Sequence, residues 1–228
     1  MDLIKWPFLK QSWGMEVVRS EGPYLYTKEG QKILDAAGGA IVSNIGYGRE
    51  EVAEAVKQAT KNNSYVLPPF LTPEREALLD ELREHWLPPH LTRIHLSSGG
   101  SEANESAVKL AIQYQASRGK PEKNIILTRT LSYHGTTLNM SGISGHAARK
   151  RGLESYVPKA PMIETPYPLR CPLGSFHPDA KDYYLNNLKE VIKKIGSENI
   201  AGLLMEPVNG SSGGAISPPE GYWEEAHK

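Results

Sequence analysis

The sequence predicts an α/β protein built on a largely parallel sheet. Two observations carry this reading. After Pro88-Pro89, short apolar runs alternate with amphipathic helical stretches, the pattern of a parallel sheet with crossover helices. Three of the chain's polar, glycine-bearing motifs follow apolar runs, where open α/β sheets hold their ligands. With 228 residues, 39% of them hydrophobic, the chain can bury one sizeable core, or one domain and a piece of another.

Residues 1–20 read as an irregular arm. A hairpin pattern follows, with Tyr24-Leu25-Tyr26, a turn at Thr27 to Gly30, and Lys32-Ile33-Leu34. Gly38-Gly39 and Gly46-Tyr47-Gly48 mark loops. Residues 50–61 are helical, with Val52, Val56 and Ala59 on one face. Thr72-Pro73 opens a second helix, Thr as cap and Pro at the first position, with Leu78, Leu82 and Trp86 along one side. Ile94-His95-Leu96 is expected as a short strand. A strong helix covers 101–117, with Ala103, Ala107, Leu110, Ala111 and Tyr114 at helical spacing. Residues 124–128 form a buried-type strand. Residues 158–178 hold six prolines and form a long loop. A helix over 181–195 buries Tyr184, Leu188, Val191, Ile192 and Ile195 and ends at Gly196; a strand covers 200–205. Residues 223–228 read as the first turn of a further helix, an unexpected place for a domain to end.

The charges balance, 26 Lys+Arg against 26 Asp+Glu, so no basic surplus argues for nucleic acid. The one cysteine, Cys171, excludes an intrachain disulfide. Absence of a signal peptide or sustained apolar span points to a cytoplasmic protein with no membrane segment. The histidines show no metal-ligand spacing, so no metal is expected. Ser106-Ala107-Val108-Lys109 matches an S-x-x-K pattern, but it lies in an amphipathic helix without partner motifs and reads as solvated surface.

The three motifs are Ser98-Gly99-Gly100-Ser101-Glu102, Ser132-Tyr133-His134-Gly135 and Glu206-Pro207-Val208-Asn209-Gly210. The first meets a helix start, where glycines admit close approach and free N–H groups favour an anion. It reads either as a phosphate cradle or as a plain glycine turn capped by Ser101. In the second, Tyr133 offers a flat platform for a planar ligand, or is a half-buried tyrosine beside a solvent-facing His134. In the third, Glu206 is a carboxylate at the end of a buried run, or only a strand terminator before Pro207.

Taken together, SGGSEANESAVKLA, SYHGTTL and EPVNGSSGGAISPPEGYW resemble the class III aminotransferases, and DAAGGAIVSNIGYGREEVAEAVKQA resembles that family's N-terminal signature. The stretch PYPLRCPLG is similar to the omega-aminotransferase branch. The resemblance runs from about Tyr24 to the last residue. It implies a PLP-dependent transferase of fold type I, a mixed, mostly parallel sheet with flanking helices, here truncated. It further implies 1–70 as N-terminal arm and part of the small domain, and 71–228 as the first part of the large cofactor-binding domain. The implied cofactor is pyridoxal 5'-phosphate (PLP), with small-molecule amine and keto acid substrates and a homodimer in the full-length form. Carried over residue by residue, Gly100 and Ser101 hold the phosphate, Tyr133 stacks on the pyridine ring with His134 beside it, and Glu206 lies near the ring's hydroxyl side.

Two departures qualify the match. Some family members carry a Glu five residues after the Glu-Pro glutamate; here that position is Ser211. A 2-oxoglutarate/glutamate exchange is then in doubt, and a smaller acceptor such as pyruvate fits. The family's Asp at the pyridine nitrogen and its catalytic Lys lie beyond residue 228, so no catalytic residue is assigned within this chain. An aminomutase, racemase or decarboxylase of the same family, or a non-catalytic remnant of the fold, stand as alternatives.

Overall fold

The computed structural model describes residues 14–228, in two compact units, up to Ile94 and from His95 to Lys228. Each is described by itself.

The first unit carries an antiparallel sheet of three strands, β1 (Val17–Glu21), β2 (Tyr24–Thr27) and β3 (Lys32–Leu34). The expected hairpin is β2–β3, with Tyr24 opposite Leu34 and Tyr26 opposite Lys32. β1 corrects the expectation of an irregular arm over its residues 17–20; positions 1–13 of that arm lie outside the described residues. VVRSE does not alternate apolar with polar, so periodicity did not mark it. The sheet is held across its strands by cations on rings: Arg19 stands 3.9 Å from the Tyr26 centroid and Lys32 3.8 Å from that of Tyr24. After it, Asp35 ties the glycine loops together. It accepts from Tyr47 Oη at 2.6 Å and from the Gly39 N–H at 2.7 Å, and these bonds lower its pKa, Tyr47 foremost. Two helices follow, α1 (Glu50–Asn62) and α2 (Pro73–Glu81), the second capped as expected by Thr72, whose Oγ1 accepts from the Arg75 N–H at 3.3 Å.

The second unit has a parallel sheet of three strands, β4 (Ile125–Arg129), β5 (Met162–Ile163) and β6 (Ile200–Leu203), in the order β5-β4-β6. Before it lies α3 (Gly100–Ser117). The short helices α4 (Leu138–Ile143) and α5 (Ala147–Lys150) follow β4, and α6 (Ala180–Ile195) joins β5 to β6. Gly196 ends α6 at φ 87°, a left-handed value that glycine adopts at little cost, and α7 (Tyr222–Ala226) is the helix turn read near the end of the sequence. Among the described residues no helix is long and apolar enough to cross a membrane.

The central strand β4 is the most buried, with Leu127, Thr128 and Arg129 all at 0% exposure. One core cluster packs Val108 of α3 and Met140 and Ile143 of α4 on Ile126; a second joins Cys171, Tyr184 and Leu185 to Tyr222 of α7. Removing a side chain such as Leu127 or Met140 from water contributes about 1.5–3 kcal/mol.

Three further expectations are corrected. Ile94-His95-Leu96 is not a strand, because no described strand pairs with it to complete a ladder. The long proline-rich loop contains β5, whose two residues are too few to show a period. α3 turns Val108, Ala111 and Ile112 to the core, while Leu110 and Tyr114 are exposed. That helix carries two apolar stripes, and the sequence does not say which one meets the sheet.

Candidate functional site

All five residues singled out by the motifs lie in the second unit. Gly100 and Ser101 open α3, behind Gly99 as cap. Tyr133 and His134 sit on the loop that leaves β4, and Glu206 on the turn that leaves β6. Because β4 and β6 are parallel neighbours, these last two segments emerge at the same edge of the sheet.

The loop from Leu131 to Thr137 is held on every side. Ser132 Oγ donates to Arg129 O at 2.9 Å and accepts from the Gly145 N–H at 2.8 Å. The His134 N–H donates to Ser144 Oγ at 2.9 Å, and Asn104 Nδ2 of α3 donates to His134 O at 2.7 Å. At the next position of α3, Glu105 accepts from Thr137 Oγ1 at 2.5 Å and from Asn139 Nδ2 at 2.9 Å. Gly135 lets the loop touch the start of α3. Its φ is 146°, and a Cβ there would stand 2.7 Å from Ser101 Oγ and 2.9 Å from Ser101 Cα.

Ser101 is not the helix cap. Its Oγ accepts from the Thr136 N–H at 3.0 Å, which leaves its own O–H free to donate elsewhere. The first-turn N–H groups of an α-helix have no acceptor within the helix, and the space at Gly99 and Gly100 is open, with nothing within 4 Å of a Cβ at either. A hydroxyl proton, free amides and open space together suit an oxyanion. The residues present therefore fit a phosphate.

His134 is buried at 4% exposure, not solvent-facing, and its Nε2 lies 2.7 Å from Thr128 Oγ1. Burial first, and the Arg129 charge second, push its pKa down to about 4, so the ring is neutral near pH 7. Tyr133 is half-buried, with the Arg149 guanidinium 4.4 Å from its ring centroid. A ring in that setting can still offer its other face to a flat ligand.

Glu206 is reached through Arg129. Nη2 of Arg129 donates to Glu206 O at 2.6 Å and stands 3.5 Å from its Oε2. Among the described residues Glu206 has no direct bond to Ser101 or Tyr133, so Ser101, Gly135 and His134 form one tight group and Glu206 stands one strand away. Motif reading missed Arg129, Asn104 and Thr136. The charge that closes the apolar run IILTR was the available signal for Arg129; nothing local marked the other two.

Comparison with known proteins decides the family. The model of the class III aminotransferases matches residues 10–228. The chain belongs to the class III aminotransferase family. Among curated members it is 35% identical over 208 residues to the uncharacterized aminotransferase YodT of Bacillus subtilis, covering 90% of this chain and 46% of that protein. It is 30% identical to the putrescine–pyruvate aminotransferase of Pseudomonas aeruginosa, covering 91% and 45%. Among solved structures, an (S)-enantioselective omega-transaminase from Thermomicrobium roseum superposes with a TM-score of 0.83 at 33% identity, covering 92% of this chain and 47% of that one. An amine transaminase from an uncultivated Pseudomonas species, solved with PLP bound, gives 0.88 at 27%, covering 97% and 52%. The chain thus spans about half the length of the curated relatives it matches. Its fold is an N-terminal portion of the PLP-dependent transaminase fold.

Proposed function

We propose that this chain is part of a PLP-dependent aminotransferase that moves an amino group between an amine or amino acid and a keto acid, and that its second unit holds the cofactor. One observation carries the reading: the Ser101 hydroxyl, at the open, glycine-lined start of α3, keeps its proton free for an anion. Gly100 and Ser101 bind the phosphate through N–H groups and this O–H. Tyr133 lies against the ring, His134 beside it stays neutral, and Glu206 faces the ring's hydroxyl side. The bound cofactor supplies an electron-withdrawing ring that takes up charge as a substrate C–H bond breaks. The residues of this chain bind and orient; the rigid loop from Leu131 to Thr137 fixes where the ring lies.

Ser211 in place of a glutamate supports a small acceptor such as pyruvate, and the relative from Pseudomonas aeruginosa is named for that acceptor. The homodimer and the division into 1–70 and 71–228 rest on the family resemblance alone.

Ser101→Ala tests the reading. It removes one charge-assisted hydrogen bond, worth about 1.5–3 kcal/mol, together with the acceptor of the exposed Thr136 N–H, so the PLP dissociation constant should rise by roughly tenfold or more while the melting temperature falls by only a few degrees. Fluorescence titration with PLP measures it. Equal constants for the two proteins would return Ser101 to a purely structural role.

A further inference from the structure

Arg129 is a charged side chain where the core has no evident need of one. It closes the buried strand β4, and its side chain is 0% exposed. Its Nε and Nη1 find no hydrogen-bond partner among the described residues. A buried guanidinium is destabilising unless well paired, and an apolar side chain of similar volume would fill the place at lower cost. What Arg129 does make is specific. Nη2 donates to the main-chain oxygen of Glu206 at 2.6 Å and faces its carboxylate at 3.5 Å. Trp223, its ring centroid 5.9 Å from the guanidinium, donates its indole N–H to Pro207 O at 3.2 Å. The Gly210 N–H closes on Glu206 Oε1 at 3.4 Å. The turn after β6 is thus gripped at two successive carbonyls, with its carboxylate set between a cation and an amide.

We infer that Arg129 is a positioning residue, which fixes the turn at Glu206 and Pro207 and so aims the Glu206 carboxylate into the site. The inference rests on the reading of Glu206 as a cofactor contact. The same cation also bears on His134, where it reinforces the effect of burial in keeping the imidazole neutral. One buried charge therefore governs groups at the ends of two neighbouring strands.

The test uses the 228-residue chain and the Gly210 amide resonance, which reports the place of the Glu206 carboxylate without any cofactor. Glu206→Gln sets the reference change. Arg129→Met should displace the Gly210 resonance comparably, and Arg129→Lys, which keeps the charge, should leave it near the parent position. PLP affinity should fall about tenfold in Arg129→Met and clearly less in Arg129→Lys. A purely structural role would not distinguish Met from Lys in this way. A Gly210 resonance unmoved in Arg129→Met, or moved equally by both variants, overturns the inference. If the parent chain does not bind PLP yet Gly210 responds as described, the proposed function fails and the positioning role stands. If Arg129→Met does not fold, Arg129→Gln, which is neutral, decides by the same readout: a Gly210 resonance displaced more than in Arg129→Lys supports the role, and one displaced no more than in Arg129→Lys contradicts it.

Discussion

Gly135→Ala should be among the most damaging single substitutions in the second unit. At φ 146° an L side chain is strained, and the added methyl would lie 2.7 Å from Ser101 Oγ, 2.9 Å from Ser101 Cα and 3.0 Å from Met140 Cβ. Two of those atoms belong to rigid neighbours, one in the backbone of α3 and one in a fully buried side chain. Backbone strain of about 1–3 kcal/mol and overpacking of similar size together cost about 2–6 kcal/mol. The only way to relieve the clash is to part the loop from the start of α3, which also breaks the bond from Thr136 to Ser101. Urea unfolding should therefore show a large loss of stability, and PLP affinity should drop more than tenfold. Gly99→Ala is the control. Gly99 has an extended backbone, φ −173°, and open space around its Cβ, so that substitution should cost under about 1 kcal/mol. Equal stabilities for the two variants would show that Gly135 is not the close contact described.

The second large effect is a loss of stability on mild acidification, owed to His134. In the folded chain its pKa lies at about 4, against 6.5 for an unperturbed histidine. Between those values the unfolded state binds a proton that the folded state does not, so stability falls as pH falls. The contribution is complete above pH 6.5 and is lost as pH drops towards 4. From pH 7 to pH 5 the loss is about 2 kcal/mol. Urea unfolding of the parent and of His134→Gln at the two pH values isolates it, since exposed carboxylates titrate alike in both proteins. A parent that loses no more stability than His134→Gln would mean that the ring is open to water when folded.

The sequence was most legible where its period is long. α1, α2, α3 and α6 all lie where the 3.6-residue pattern, Thr72-Pro73 or Gly196 marked them. β4 and β6 were legible as apolar runs. β5 was not, since a two-residue strand has no period, and it exists because β4 offers it an edge. The face of α3 was misread for a related reason: Ala103, Ala107 and Leu110 form as good a helical stripe as Val108, Ala111 and Ile112, and only packing tells them apart. At the site, the three motifs located Ser101, Tyr133, His134 and Glu206 in the chain. What links them was not legible. The bonds from Asn104 to His134 and from Thr136 to Ser101 span 30 and 35 residues and leave no local pattern. His134 itself was open to a solvent-facing reading. Its burial follows from Thr128 and Ser144, which meet it only once β4 and α4 are packed.

The start of α3 is proposed to hold the phosphate of PLP. Amide chemical shifts of the 228-residue chain, followed during titration with PLP and in parallel with pyridoxal, which lacks the phosphate, decide the point. PLP should move the amides of Gly100, Ser101 and Glu102 at the head of α3, pyridoxal should not, and inorganic phosphate should move the same amides more weakly. Shifts at the head of α3 that pyridoxal reproduces, or a PLP response confined to other segments, would contradict it.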